Sequence, residues 1–140
     1  MIADSDLIRN MLFKDDEKLL LLRELLEKGT IRIDIPEIAI FEVCKELFEL
    51  NIPTNSLKKI IKLVIEYFEL FIIKTNAEVL SDAVEIYKSL RDVRFCTAIC
   101  LAFAKNFNEF YITTDIKLAK YLRENGFDVL TVDDVIKTFR

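Results

Sequence analysis

The segment "EFYITTDIKLAKYLRENGFDVLTV", Glu109–Val132, decides the fold class. "EFYITT" has the aromatic and β-branched content of a short buried strand. "DIKLAKYLRENG" then carries apolar residues at helical spacing, opens on Asp115 and stops at Gly126. "FDVLTV" reads as a second strand, and Asp133–Asp134 opens a terminal turn or helix. Strand, helix and strand in direct succession make a crossover unit, the connection that parallel strands require.

The same alternation extends through the rest of the chain. "MIA" is a very short apolar strand candidate, followed by an Asp/Ser cluster and helical material up to Gly29. "TIRID" alternates like a strand and runs into Ile35–Pro36, a good helix entrance. In "PEIAIFEVCKELFEL" the residues Ile38, Phe41, Leu47 and Phe48 form the expected core stripe. "NSLKKIIKLVIEYFEL" resumes helix behind an Asn55 or Ser56 cap, and "LFIIK" reads as a buried strand. Thr75–Glu78 has the spacing of a capping box, and a further helix is predicted over Val93–Lys105, with Asp92 as its N-cap. The prediction is an α/β fold. Its architecture is a three-layer α/β/α sandwich with a mainly parallel central sheet, one domain over residues 1–140.

Composition narrows the chemistry. There is no histidine, which removes His-based triads, imidazole zinc sites and His general bases and leaves carboxylates. Two glycines cannot build a Gly-rich phosphate loop. A net charge of −4 argues against simple electrostatic coating of nucleic acid, but a metal can neutralise a local acid cluster. Cys44, Cys96 and Cys100 sit in apolar surroundings and read as buried free thiols of a reducing compartment. Asp4 and Asp6 interrupt any signal peptide, and no apolar run approaches the ~18 residues of a membrane span, so a soluble cytoplasmic protein is expected. The apolar helices "EKLLLLRELLEKG" and "KKIIKLVIEYF" exceed what one buried face needs, which suggests a homodimer or a groove for a partner helix.

In parallel sheets, sites form at the carboxyl ends of strands. Asp4 follows the first strand candidate, Asp115 follows "FYITT", and Glu42 lies at the edge of an apolar helix face. Taken singly, each has a bland role: Asp4 and Asp115 as helix caps, Glu42 as a solvated helix residue. Asp15 and Asp16 in "KDDEK" belong to a solvated loop or first turn, and Asp133 and Asp134 are expected to cap. Arg91, Arg94, Lys117 and Lys120 bracket the helix entrances and are candidates for phosphate contacts, with ordinary surface placement equally open. A receiver-like regulatory domain is the main rival, opposed by the lack of a central phosphoacceptor Asp and of a late strand-borne Lys.

In order along the chain, "IADSDLI", "IPEIAIFEVCKEL", the Ala-rich "FCTAICLAFAK" and "FYITTDIKLAKYL" resemble the PIN-domain nucleases, especially the VapC-type toxins of toxin–antitoxin pairs. The resemblance spans essentially the whole chain. It implies a ribonuclease that hydrolyses RNA phosphodiester bonds with Mg²⁺ or Mn²⁺, and an antitoxin protein as partner. Asp4, Glu42 and Asp115 match the family's metal-holding acids, with Thr113 as the Thr of its T-x-D motif. One acid is missing: the Asp that opens the family's Ala-rich helix falls on Thr97. Asp6, two residues after Asp4, and Asp92, upstream of Thr97, are the two carboxylates that could supply the lost charge. A PIN-like descendant that binds RNA or protein without cleaving is the alternative. The carboxylates of Asp4, Glu42 and Asp115 are expected to meet at one cleft, with Thr97 on its rim.

Overall fold

A computed structural model describes residues 1–140, the side chain of Leu70 excepted. The unit that decides the fold class forms as a strand, a helix and a strand. It consists of β4 (Tyr111–Thr113), α7 (Ile116–Glu124) and β5 (Val129–Thr131), with β4 and β5 parallel and Tyr111 level with Val129. β1 (Ile2–Ala3) lies on the other side of β4, also parallel, with Ile2 opposite Tyr111 and Ala3 opposite Ile112. A second parallel pair joins β2 (Ile35–Pro36) to β3 (Ile72–Ile73). An Ile2–Asp34 bridge ties the two pieces together, with the Ala3 amide donating to the Asp34 carbonyl at 3.1 Å. The resulting spatial order is β3-β2-β1-β4-β5, and its direction of growth reverses between β1 and β4. That reversal is the switch point at which open α/β sheets place their sites.

The strands are short, and most of the buried residues lie on helices. Ile2, Ala3, Tyr111 and Ile112 are fully buried, as expected for parallel strands covered on both faces. α6 (Phe95–Phe107) packs on β1, β2 and β4 and is itself covered by α5 (Ala77–Ser89). Every residue of α6 from Cys96 to Ala104 is buried, so this helix is apolar all round, as its sequence is. α1 (Ser5–Phe13) packs on α3 (Glu37–Glu49), while α2 (Glu17–Glu27) packs on α8 (Val132–Phe139). α4 (Thr54–Phe68) rests on α3 and ends in a 3₁₀ turn, Glu69–Phe71. This is the three-layer α/β/α arrangement.

Several local expectations shift. "TIRID" is not the paired strand. Ile31 and Ile33 are buried, but pairing begins at Asp34 and the strand is Ile35–Pro36. The core face of α3 is Ala39, Ile40, Val43, Cys44 and Leu47, whereas Phe41 and Phe48 are exposed at 64% and 63%. α4 starts behind Pro53 rather than at Asn55 or Ser56, and the cap of α5 is Asn76, one residue after Thr75. α6 begins at Phe95, so Asp92 is not its cap but a turn residue in the left-handed region, φ 58°. All three cysteines are free and buried. Among the described residues, no helix is long and apolar enough to cross a membrane.

Of the acids outside the central cluster, Asp16 and Asp134 serve helix caps, whereas Asp133, also expected to cap, pairs with Lys18 at 2.7 Å instead. Asp16 receives the Lys18 and Leu19 amides at the start of α2. Asp134 completes a capping box with Thr131 on α8, and its carboxyl is lowered to about 2, first by the Thr131 amide, then by the Thr131 hydroxyl and Arg123. Because the folded value lies below the ordinary one, this contribution is present above the unfolded pKa of about 4 and disappears as pH falls towards 2. Asp134→Ala is expected to cost about 1 kcal/mol at pH 7, with the two proteins converging in urea titrations at acid pH.

Candidate active site

The carboxyl end of β1 delivers Asp4, which is 1% exposed. Its Oδ1 accepts the Asp6 and Leu7 amides at 3.1 and 3.4 Å and so caps α1. The capping expected of an Asp at this position is therefore real, and it uses only one oxygen. Oδ2 points into the protein, where it accepts the Tyr111 hydroxyl, the Thr97 hydroxyl at 3.2 Å and Arg94 Nη2 at 3.5 Å. Burial raises the Asp4 carboxyl above its ordinary value; the Tyr111 hydrogen bond opposes this, Asp6 adds to it and Arg94 opposes it. Tyr111 is itself pushed well up by burial and by Asp4, so it is held as a neutral donor.

Around this buried acid lies a half-exposed ring of charge. Arg94 Nη1 donates to Glu42 Oε2 at 3.1 Å and to the Ser5 hydroxyl at 3.2 Å. Its Nη2 reaches Asp6 Oδ2 at 3.0 Å as well as Asp4. The Ser5 hydroxyl also donates to Glu42 Oε2 at 2.6 Å. Arg9 closes the outer side, binding Asp6 Oδ1 at 2.9 Å and Glu46 at 3.1 and 3.2 Å. One guanidinium thus gathers Asp4, Asp6 and Glu42. Burial works against its charge, but Asp6, Asp4 and Glu42 outweigh that and raise its pKa further.

The predicted residues are distributed as follows. Asp4, Asp6 and Glu42 share Arg94. Thr97 is buried behind them rather than on a rim, at the first turn of α6. Asp115 lies just beyond β4, at the same end of the sheet, and its exposed carboxylate caps α7 by accepting the Leu118 amide at 3.0 Å. The buried Thr113 hydroxyl accepts the Asp115 amide at 3.1 Å. Among the described residues, no hydrogen bond or ion pair links Asp115 or Asp92 to the Arg94 cluster. Arg94, read from sequence as a candidate phosphate contact, is turned towards the acids instead. Ser5 and Tyr111 escaped the sequence reading altogether: Tyr111 looks like strand core, and nothing local shows that its hydroxyl meets Asp4 across the sheet.

A divalent ion does not fit this arrangement. Mg²⁺ needs oxygens at about 2.0–2.1 Å around one centre. Here the carboxylate oxygens face a guanidinium fork, and both oxygens of Asp4 are already engaged. Among the described residues, no group of three or more His, Cys, Asp or Glu is placed to hold a metal ion. The arrangement instead holds a buried carboxylate, the Arg94 guanidinium and a fixed hydrogen-bond network.

No family model matches the sequence, and no curated protein does. Solved structures share the fold over nearly the whole chain. A chain of the VapBC2 complex from Rickettsia felis, solved with a fragment of its promoter DNA, has a TM-score of 0.69 at 16% identity. The match covers 93% of this chain and 96% of that one. FitAcB from Neisseria gonorrhoeae gives 0.70 at 13% identity, over 94% and 96% of the two chains. VapBC-1 from nontypeable Haemophilus influenzae gives 0.66 at 14% identity, over 94% and 97%.

Proposed function

From a chain whose fold is the VapC-like PIN fold, we propose a toxin-type protein of a toxin–antitoxin pair that engages RNA and cleaves it weakly or not at all. In this reading residues 1–140 are one PIN-like domain, cytoplasmic, with the RNA lying across the carboxyl ends of β1 and β4. The observation that carries it is the Arg94 cluster: one guanidinium binds Asp4, Asp6 and Glu42, and Thr97 stands where the family resemblance expects an acid. A phosphodiester approaching this cleft meets a fixed polar network without a free set of carboxylates. Exposed Lys117 and Lys120 on α7, beside Asp115, supply the positive charge that would hold the backbone. Exposed Phe41, Phe48 and Leu63 support a protein partner, either an antitoxin helix or a second copy in a homodimer.

A second reading is favoured by the placement of Asp4, Glu42 and Asp115, all at or near the carboxyl end of the sheet. It is a metal-dependent endoribonuclease using Mg²⁺ or Mn²⁺. One experiment separates the two. Labelled single-stranded RNA is incubated with the protein in MgCl₂ or MnCl₂, beside the Asp4→Asn and Asp115→Asn variants. The expected result is saturable binding by fluorescence anisotropy, weakened about threefold or more in a Lys117→Glu/Lys120→Glu variant. Cleavage should stay at the level of the Asp4→Asn protein. Turnover by the native protein that both Asn variants lose would replace this reading with the hydrolytic one.

A further inference from the structure

Building on the reading of a cleft that does not hydrolyse, the geometry points to Arg94 as the resident cation of the site: with Thr97, it closes the cleft to divalent metal. One observation and two physical consequences of it support this. Both terminal nitrogens of the guanidinium are used, Nη1 on Glu42 and Ser5, Nη2 on Asp4 and Asp6. The planar fork spreads these oxygens apart, whereas a small hard ion must draw them together. Any ion entering between them would also meet a fixed positive charge at contact distance.

The charge account points the same way. Thr97, where the family resemblance expects an acid, contributes no negative charge, and Arg94 places one positive charge among Asp4, Asp6 and Glu42. One protein cation thus offsets part of the charge of three carboxylates, a role that a bound metal would otherwise fill. Thr97 keeps the hydrogen bond to Asp4 Oδ2, so the buried acid stays satisfied without a metal. No buried side-chain nitrogen or oxygen among the described residues lacks a partner.

The local backbone explains how Arg94 is aimed. It occupies the N-cap position of α6 in an extended conformation, φ −69° and ψ 151°, and makes no side-chain cap bond. The left-handed turn at Asp92 precedes it. Its side chain therefore leaves the helix axis and crosses to α1 and α3 instead of folding over its own helix.

The test is metal binding without RNA. MnCl₂ is titrated into native protein, Arg94→Gln and Arg94→Gln/Thr97→Asp, read by calorimetry and by the melting temperature against EDTA. The native protein is expected to show no saturable Mn²⁺ site and no melting shift. Arg94→Gln should acquire a saturable Mn²⁺ site, and the double variant should bind about tenfold or more tightly than Arg94→Gln, with a melting temperature that rises on Mn²⁺. If the double variant is unfolded in EDTA, circular dichroism should show it refolding on Mn²⁺. Saturable Mn²⁺ binding by the native protein that Asp4→Asn abolishes would overturn the inference. So would an Arg94→Gln protein with no gain in affinity. Failure of RNA binding, with these metal results intact, would count only against the proposed function.

Discussion

With divalent ions removed, Thr97→Asp is expected to destabilise the protein by about 2–4 kcal/mol at pH 7. The side chains are of similar size, so the effect is electrostatic. Thr97 is 2% exposed and its hydroxyl donates to Asp4 Oδ2 at 3.2 Å. A carboxylate there would place two buried negative groups in contact, with only Tyr111 and the flank of Arg94 to offset them. One of the pair must then bind its proton well above the usual carboxylate range. The sign follows from that raised value. The penalty is full above it and shrinks as pH falls and the pair shares a proton. Urea denaturation at pH 7 and pH 5 should show the variant recovering ground on the native protein at the lower pH. An equal loss at both would mean that the damage is steric.

The second large effect is at Asp4. Asp4→Ala is expected to cost about 3 kcal/mol. It removes the cap of α1 and leaves the buried Thr97 and Tyr111 hydroxyls without their acceptor. It also relieves the cost of burying a carboxylate, which keeps the loss below the sum of the missing bonds. Asp4→Asn retains an oxygen for the two amides and should cost less than half as much. If Ala and Asn lose the same amount, the helix cap contributes nothing and the stabilisation lies wholly with Oδ2.

Much of this fold is written locally. The β4–α7–β5 unit is legible because each transition carries a chemical mark: Asp115 at the helix start, and Gly126 with φ 86° beyond its end. Asp4 is found for the same reason, as an acid directly after an apolar strand. Strand pairing is less visible. In "TIRID", alternation records which side chains are buried, as Ile31 and Ile33 are, but not which backbone groups find a partner. Phe41 and Phe48 look like core because hydrophobicity does not say what covers a side chain. The site is legible in its acids and illegible in its cation. Whether Arg94 meets solvent, phosphate or Asp4 depends on where α6 starts relative to β1, and the left-handed turn at Asp92 moves that start by two residues from where the sequence alone places it. Tyr111 is hidden for a similar reason, since its hydroxyl reaches Asp4 only through the pairing of two strands far apart in the chain.

That pairing also sets when the protein can fold. β1 is the middle strand of five, and the partner on its far side, Tyr111, follows Ile2 by more than a hundred residues. At ribosomal speeds of about 5–20 residues per second, the first strand waits on the order of 5–20 seconds for its neighbour. Until then Asp4 has no Tyr111, and the switch point between β1 and β4 does not exist. Local helices can form early, but the sheet is a high-contact-order structure that closes late. The network around Asp4 is therefore assembled late relative to Asp4 itself, only once the β4 segment has followed the first strand.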